Sequence, residues 1–263
     1  MNKAYKLTKA DKEELNTAKL LLENPGIAAK ITNYIGKPIE KGFDMLPNDW
    51  RIKIGDITTK TLLKVSEGTL MTMKDVSMKE PSNVWHKLGV AASGGVGGFF
   101  GLPALAIELP ISTSIMLRSI TDIARSQGEN INTTESKLAC LEVFAFGGAS
   151  KSDDSLDTGY FVVRSALAKS IAETAEFIAS KGIVEEGSPV LLKFIVNIAQ
   201  RFGIQIGEKA AAQAMPIIGA AGGALINTMF IDHFQDMAKG HFIVRKLERK
   251  YDADFIMQSY IEL

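Results

Sequence analysis

The chain has 263 residues and 28.5 kDa, 46% of them hydrophobic and 23% charged, with a mean hydropathy of +0.08. That mix excludes a disordered chain, and 30 Lys plus Arg against 30 Asp plus Glu leave no general basic field for nucleic acid. A single cysteine, Cys140, excludes a disulfide framework and a multi-thiolate zinc site.

Helical spacing predicts an all-α chain of about eight to ten helices. Thr8 opens the first, with Asp11 at the position of a capping-box acid, and Leu15, Ala18 and Leu22 on one face. Asn24-Pro25-Gly26 stops it. Further helices are expected over 28–35 and 39–45, and a longer one from Pro47-Asn48-Asp49 to about Met73. The β-branched residues of that last window oppose a helix, but strand alternation is not sustained. The clearest helix is expected over 155–181, where Leu156, Tyr160, Val163, Leu167, Ile171 and Ile178 recur at helical steps before Lys181-Gly182. Ser188-Pro189 starts another, expected through Val196 to Phe202, with Pro at its first position. Phe230, Phe234, Met237, His241 and Val244 stripe a late helix that runs to about Tyr251. Loops are expected at 74–81, 147–155 and 182–189. Residues 1–80 hold 14 basic and 11 acidic side chains and read as a helical segment packed on a core domain of 81–263, together one structural unit.

Two windows, 88–107 and 210–231, carry no charge at all. Their lengths match a bilayer core, which needs about 20 residues. Gly94 and Gly98, Gly97 and Gly101, and Gly219 and Gly223 are each spaced for close helix–helix approach. Six glycines in the first window weaken it as a solitary helix, at about 1 kcal/mol each relative to Ala. Pro103 and Pro110 cut its continuation, and Gln213, Pro216 and Asn227 disfavour transfer of the second into lipid. Close-packed central helices of a bundle therefore weigh more than a membrane hairpin, and a hairpin more than spanning segments. Arg245, Lys246, Arg249 and Lys250 form a basic surface on the last helix, suited to anionic lipid or to a solvated helix C-terminus.

The run 94–103, GGVGGFFGLP, followed by Glu108-Leu109-Pro110, Leu117-Arg118-Ser119-Ile120 and Gly128-Glu129, resembles the EcsC family of bacterial proteins. So does Pro216-Ile217-Ile218-Gly219-Ala220 with Gly223, Asn227, Phe242 and Arg245. The likeness covers most of 81–251, although Gln127 stands where the family often has an aromatic residue. The resemblance implies an all-α domain and, through a gene neighbouring an ABC-type exporter, an association with membrane transport or the envelope. It supplies no catalytic residues.

Chemistry is sparse. No zinc-protease, P-loop, nucleophile-elbow or dinucleotide motif occurs. Of the histidines His86, His233 and His241, the last lies on an apolar stripe, as a structural residue would. Glu108 interrupts an apolar stretch and, if buried, needs a partner. Arg118 on the following helix, whose start Pro110 favours, pairs more naturally with Asp122 at i,i+4. A polar knot of Glu108, Arg118 and Asn227 is one candidate site. An apolar cavity lined by Phe99, Phe100, Ile107 and Ile218, holding a lipid-like ligand near Glu108 or Asn227, is another. No cofactor or metal is expected, nor any nucleic acid partner. The N-terminus has no apolar leader, Asn2 excludes myristoylation and the C-terminus has no prenylation cysteine. The expected location is therefore cytoplasmic, peripheral on the inner membrane or on a membrane protein complex.

Overall fold

The computed structural model describes residues 5–24, 26–36, 38–72, 102–148, 159–181, 188–215 and 219–263. These form ten α-helices and a short 3₁₀ turn, with no strand among the described residues. The helices are α1 (Lys9–Leu22), α2 (Ile27–Ile35), α3 (Glu40–Phe43), α4 (Trp50–Thr72), α5 (Leu102–Ser126), α6 (Thr134–Glu142), α7 (Gly159–Lys181), α8 (Pro189–Ala214), α9 (Gly219–Lys250) and α10 (Ala253–Ile261). The turn, Val143–Ala145, follows α6.

Local chemistry sets the ends. Thr8 caps α1 by accepting the backbone N–H of Asp11 at 3.1 Å, as its spacing predicts. Thr133 does the same for α6 with Ser136. Gly36 closes α2 in the left-handed region, at φ 67°. Pro189 sits in the first turn of α8, where its missing N–H costs nothing. The second charge-free window is not one helix. Met215, just before Pro216, is extended at φ −73° and ψ 123°, as the residue before proline prefers, and α8 ends there. Pro110, by contrast, does not start a helix: α5 runs through it from Leu102. The carbonyl that loses its partner is that of Ala106, on the solvent side, where water can serve it.

The core is assembled on α8 and α9. Phe144, Phe202, Phe230 and Phe234 are all buried and meet with ring centroids 4.8–6.1 Å apart. The apolar stripe of α9 read from the sequence is wholly inside: Phe230, Phe234, Met237, His241 and Val244 are at most 1% exposed. Helix α1 lies along α9, α2 touches both α8 and α9, and α3 and α4 pack on α8. Helix α5 is held between α4 and α9.

Two of these packings depend on glycine. A methyl group at Gly42 of α3 would collide with the Ala211 carbonyl, lying 2.6 Å from its carbon. One at Gly240 of α9 would come within 2.6 Å of Leu22 Cγ and 3.0 Å of the Ala18 carbonyl oxygen on α1. Backbone cannot give way as a flexible side-chain tip can. Gly42→Ala is therefore expected to cost about 2–3 kcal/mol in urea unfolding, whereas Gly55→Ala, which meets nothing within 4 Å, is expected to be neutral or mildly stabilising.

Candidate functional site

Helix α5 turns Leu105, Leu109, Met116, Leu117 and Ile120 into the core. Glu108 points the same way and is 5% exposed. Its carboxylate accepts hydrogen bonds from Lys209 Nζ on α8 at 2.9 and 3.1 Å. Lys209 is completely buried, and its ammonium also sits 5.1 Å from the Phe230 ring centroid. Asn227, fully buried on α9, lies one turn before Phe230. The knot at Glu108 is thus closed by Lys209, not by Arg118. Arg118 is exposed, and Asp122 is met by Arg125 at 2.8 Å instead.

The sequence held a signal for Lys209 that spacing rules do not use. Glu108 immediately follows the first charge-free window, and Lys209 immediately precedes the second. Each charge sits at the edge of an apolar run and satisfies the other across 101 residues.

Burying Glu108 has a surface consequence. It is the only charged residue between Lys87 and Arg118. With it turned inward, the outer side of α5 carries no charge for three turns and exposes Ala106, Ile107 and Ile111. Ile107 is 72% and Ile111 51% exposed. Ile107 therefore faces solvent and does not share a cavity with Glu108. Its expected neighbours Phe99, Phe100 and Ile218 lie outside the described residues, as do Gly94, Gly97, Gly98, Gly101 and His86. Gly219 opens α9, and Gly223 is buried on it.

The four basic residues of α9 are not a free cationic surface. Arg245 donates to both oxygens of Glu129, at 2.9 and 3.2 Å, and Arg249 binds the same carboxylate. Lys246 binds Glu14 at 2.8 and 2.9 Å. Lys250 donates at 2.8 Å to each oxygen of Asp11, which also accepts from the Tyr251 hydroxyl. Together these pairs fasten α1 and the turn before α6 onto α9. The hydrogen bonds of Lys250, Thr8 and Tyr251 hold the Asp11 carboxyl well below the usual carboxylate range.

A second polar group is sealed inside. His241 Nδ1 lies 2.8 Å from the Tyr160 hydroxyl, and its Nε2 is 3.7 Å from Glu142. Burial holds His241 well below its ordinary pKa, so the ring is neutral, and pushes Glu142 up to about 7. Beside them Arg164 makes a two-pronged ion pair with Glu248 on α9. Sequence reading finds His241 as a structural residue but misses its partners, because Tyr160 stands 81 residues away. Cys140 is fully buried and its thiol is raised to about 12, which makes it inert. Among the described residues no group of three or more His, Cys, Asp or Glu side chains is arranged to hold a metal ion.

Two outcomes test these contacts. Lys209→Met leaves the Glu108 charge buried alone and is expected to cost about 3–5 kcal/mol in chemical denaturation, with Lys209→Met plus Glu108→Met recovering most of it. Glu129 is the second case. Burial alone would raise its carboxyl, but Arg245, Ser136 and Arg249 hold it below the usual range. A lowered folded pKa gives stability that is complete above about pH 5, beyond the unfolded value, and is lost as the pH falls through the folded value. Glu129→Gln is therefore expected to lose about 3 kcal/mol at pH 7, and to approach the parent protein as unfolding is measured below about pH 4.

The family model described as EcsC protein family matches residues 9–247. The chain belongs to that family. No curated protein and no solved structure matches it.

Proposed function

We propose that this EcsC family member is a non-enzymatic helical protein that docks peripherally on the bacterial inner membrane, or on a membrane transport or envelope complex. One observation carries the reading. The chain withdraws the only charge of the 88–117 stretch into a buried ion pair, leaving a charge-free face with Ile107 and Ile111 in water. Removing one fully exposed isoleucine from water is worth about 1.5–3 kcal/mol, so this face favours an apolar surface. Docking rather than reaction is supported by Tyr160, His241 and Glu142, which gather as a catalytic group would yet are shut in the core.

The basic residues of α9 support this reading less, since their charges are spent on α1 and Glu129. Among the described residues one helix, α8, is long and apolar enough to cross a membrane. Half of that stretch is buried, and Phe194, Ile195, Ile198, Phe202 and Ile206 direct it into the core. Peripheral contact fits it better than insertion. A second reading, a soluble module holding a lipid-like ligand, is favoured by a cleft on the opposite flank of α8.

Flotation with vesicles of anionic and zwitterionic lipid tests the first reading. The protein is expected to float with the vesicles, and Ile107→Glu plus Ile111→Glu to reduce the bound fraction by about tenfold, each added charge opposing contact with apolar surface. A protein that stays wholly in the soluble fraction, or a double variant that floats as well as the parent, defeats it.

A further inference from the structure

Lys209 faces α5. Its neighbour Glu208, about 100° further round the helix, faces a cleft of about 820 Å³ between α8 and the α3–α4 corner. Its lining follows helical spacing. Arg201, Ile204 and Glu208 are three and four residues apart on α8, and Trp50 and Ile54 are four apart on α4. Ligand sites span roughly 300–1,000 Å³, so this cleft is of a size to take one small molecule.

The apolar wall is fixed in place. Trp50 stacks on Phe43 with centroids 5.0 Å apart and planes at 29°. Gly207 lets the indole edge press on α8, because a methyl there would lie 2.7 Å from Trp50 Cζ3. Arg51 places its guanidinium 5.4 Å from the same ring centroid. The indole is thus engaged from several directions and acts as a packed wall rather than a free platform for stacking a base. Ile204, half exposed, continues the apolar wall on α8.

The charges in the cleft are unbalanced. Among the described residues neither Arg51 nor Arg201 forms an ion pair, although nearly every other arginine on α5, α7 and α9 meets a carboxylate. The exception is the outward-facing Arg118. Glu208 is 8% exposed. Burial pushes its carboxyl up to about 7, so near neutrality it stands partly protonated and able to donate a hydrogen bond. Two guanidinium groups without a carboxylate partner attract an anion, a carboxyl kept partly protonated opposes it less than an ionised one would, and the rigid aromatic and aliphatic wall attracts a hydrocarbon body.

We propose that this cleft binds an acyl-chain molecule with a single anionic head, the chain against Trp50, Phe43, Ile54 and Ile204 and the head between Arg51 and Arg201. The proposal deepens the second reading above and rests on it. The head is a carboxylate or a monoester phosphate, which bidentate guanidinium contacts recognise alike. A multiply charged nucleotide fits less well, because the wall offers no free aromatic platform.

Isothermal titration of the full chain below the micellar concentration tests it. The probes are hexadecanoate, its uncharged methyl ester, a lysophosphatidic acid and ATP. One hexadecanoate or lysophosphatidic acid per chain is expected to bind, with the ester at least about tenfold weaker for want of the charge-assisted contacts. Arg51→Gln plus Arg201→Gln, both outside the packed core, is expected to weaken the acids by about tenfold or more and leave the ester unchanged. Ile204→Glu is expected to weaken acids and ester alike. An ester that binds as tightly as the acid overturns the anionic head while the lipid-like reading survives. No saturable binding of any acyl probe overturns both, and so does ATP binding more tightly than hexadecanoate. Acid binding that the double arginine variant leaves intact removes the ligand from this cleft.

Discussion

The ion pair of Glu108 and Lys209 constrains the rest of the molecule. Two charges in a dry interior cost several kcal/mol each to desolvate, and only close mutual contact offsets this. That requirement fixes the rotation of α5 about its axis against α8. With Glu108 pointing inward, Leu105 and Leu109, within about 100° of it, are buried beside it, while Ile107 and Ile111 stay exposed. The same constraint fixes α8. With Lys209 committed to α5, Glu208 is carried round to the cleft beside Trp50. One buried contact thereby sets two surfaces, an apolar face on one flank and a charged cleft on the other.

The C-terminal half of α9 does a different job. Its basic side chains read as a surface in isolation, but each reaches a carboxylate from elsewhere in the chain. Lys246 and Lys250 reach α1, more than 230 residues earlier, and Arg245 and Arg249 share Glu129. Several carboxylate contacts on one helix couple the ends of the chain more strongly than isolated surface pairs would. The close approach at Gly240 serves the same seam, since α1 can lie against α9 only where no side chain intervenes.

The interior polar group of Tyr160, His241, Glu142 and Arg164 shows how a helical core of this size tolerates titratable residues. The histidine is kept neutral, and the arginine is turned to Glu248 at the edge of the core. Buried polar atoms that meet one another fix the angular setting of α7 on α9 more tightly than apolar contacts alone. The stripe of α9 therefore carries both the greasy and the oriented part of the packing.

Periodicity and caps alone determined the helical class, both ends of α1, the start of α8 and the inward stripe of α9, while the family resemblance rested on the Gly-rich run 94–103 and the residues that follow it. The helical features are local matters, written in spacings of three and four residues and in the stereochemistry of Thr8 and Pro189. The sequence also marked Glu108 as a residue in need of a partner, because a lone charge in an apolar run must be either exposed or paired. It could not name Lys209, Tyr160 or Asp11 as partners. Those contacts join positions 81 to 240 residues apart, and helical spacing carries no information about which helices meet. Only the packing decided that the basic residues of α9 are consumed, that Pro110 lies within a helix, and that the two charge-free windows are tied by the charges at their borders. A helix fixes which side chains share a face, while the direction of each face is settled by the neighbours that must bury it.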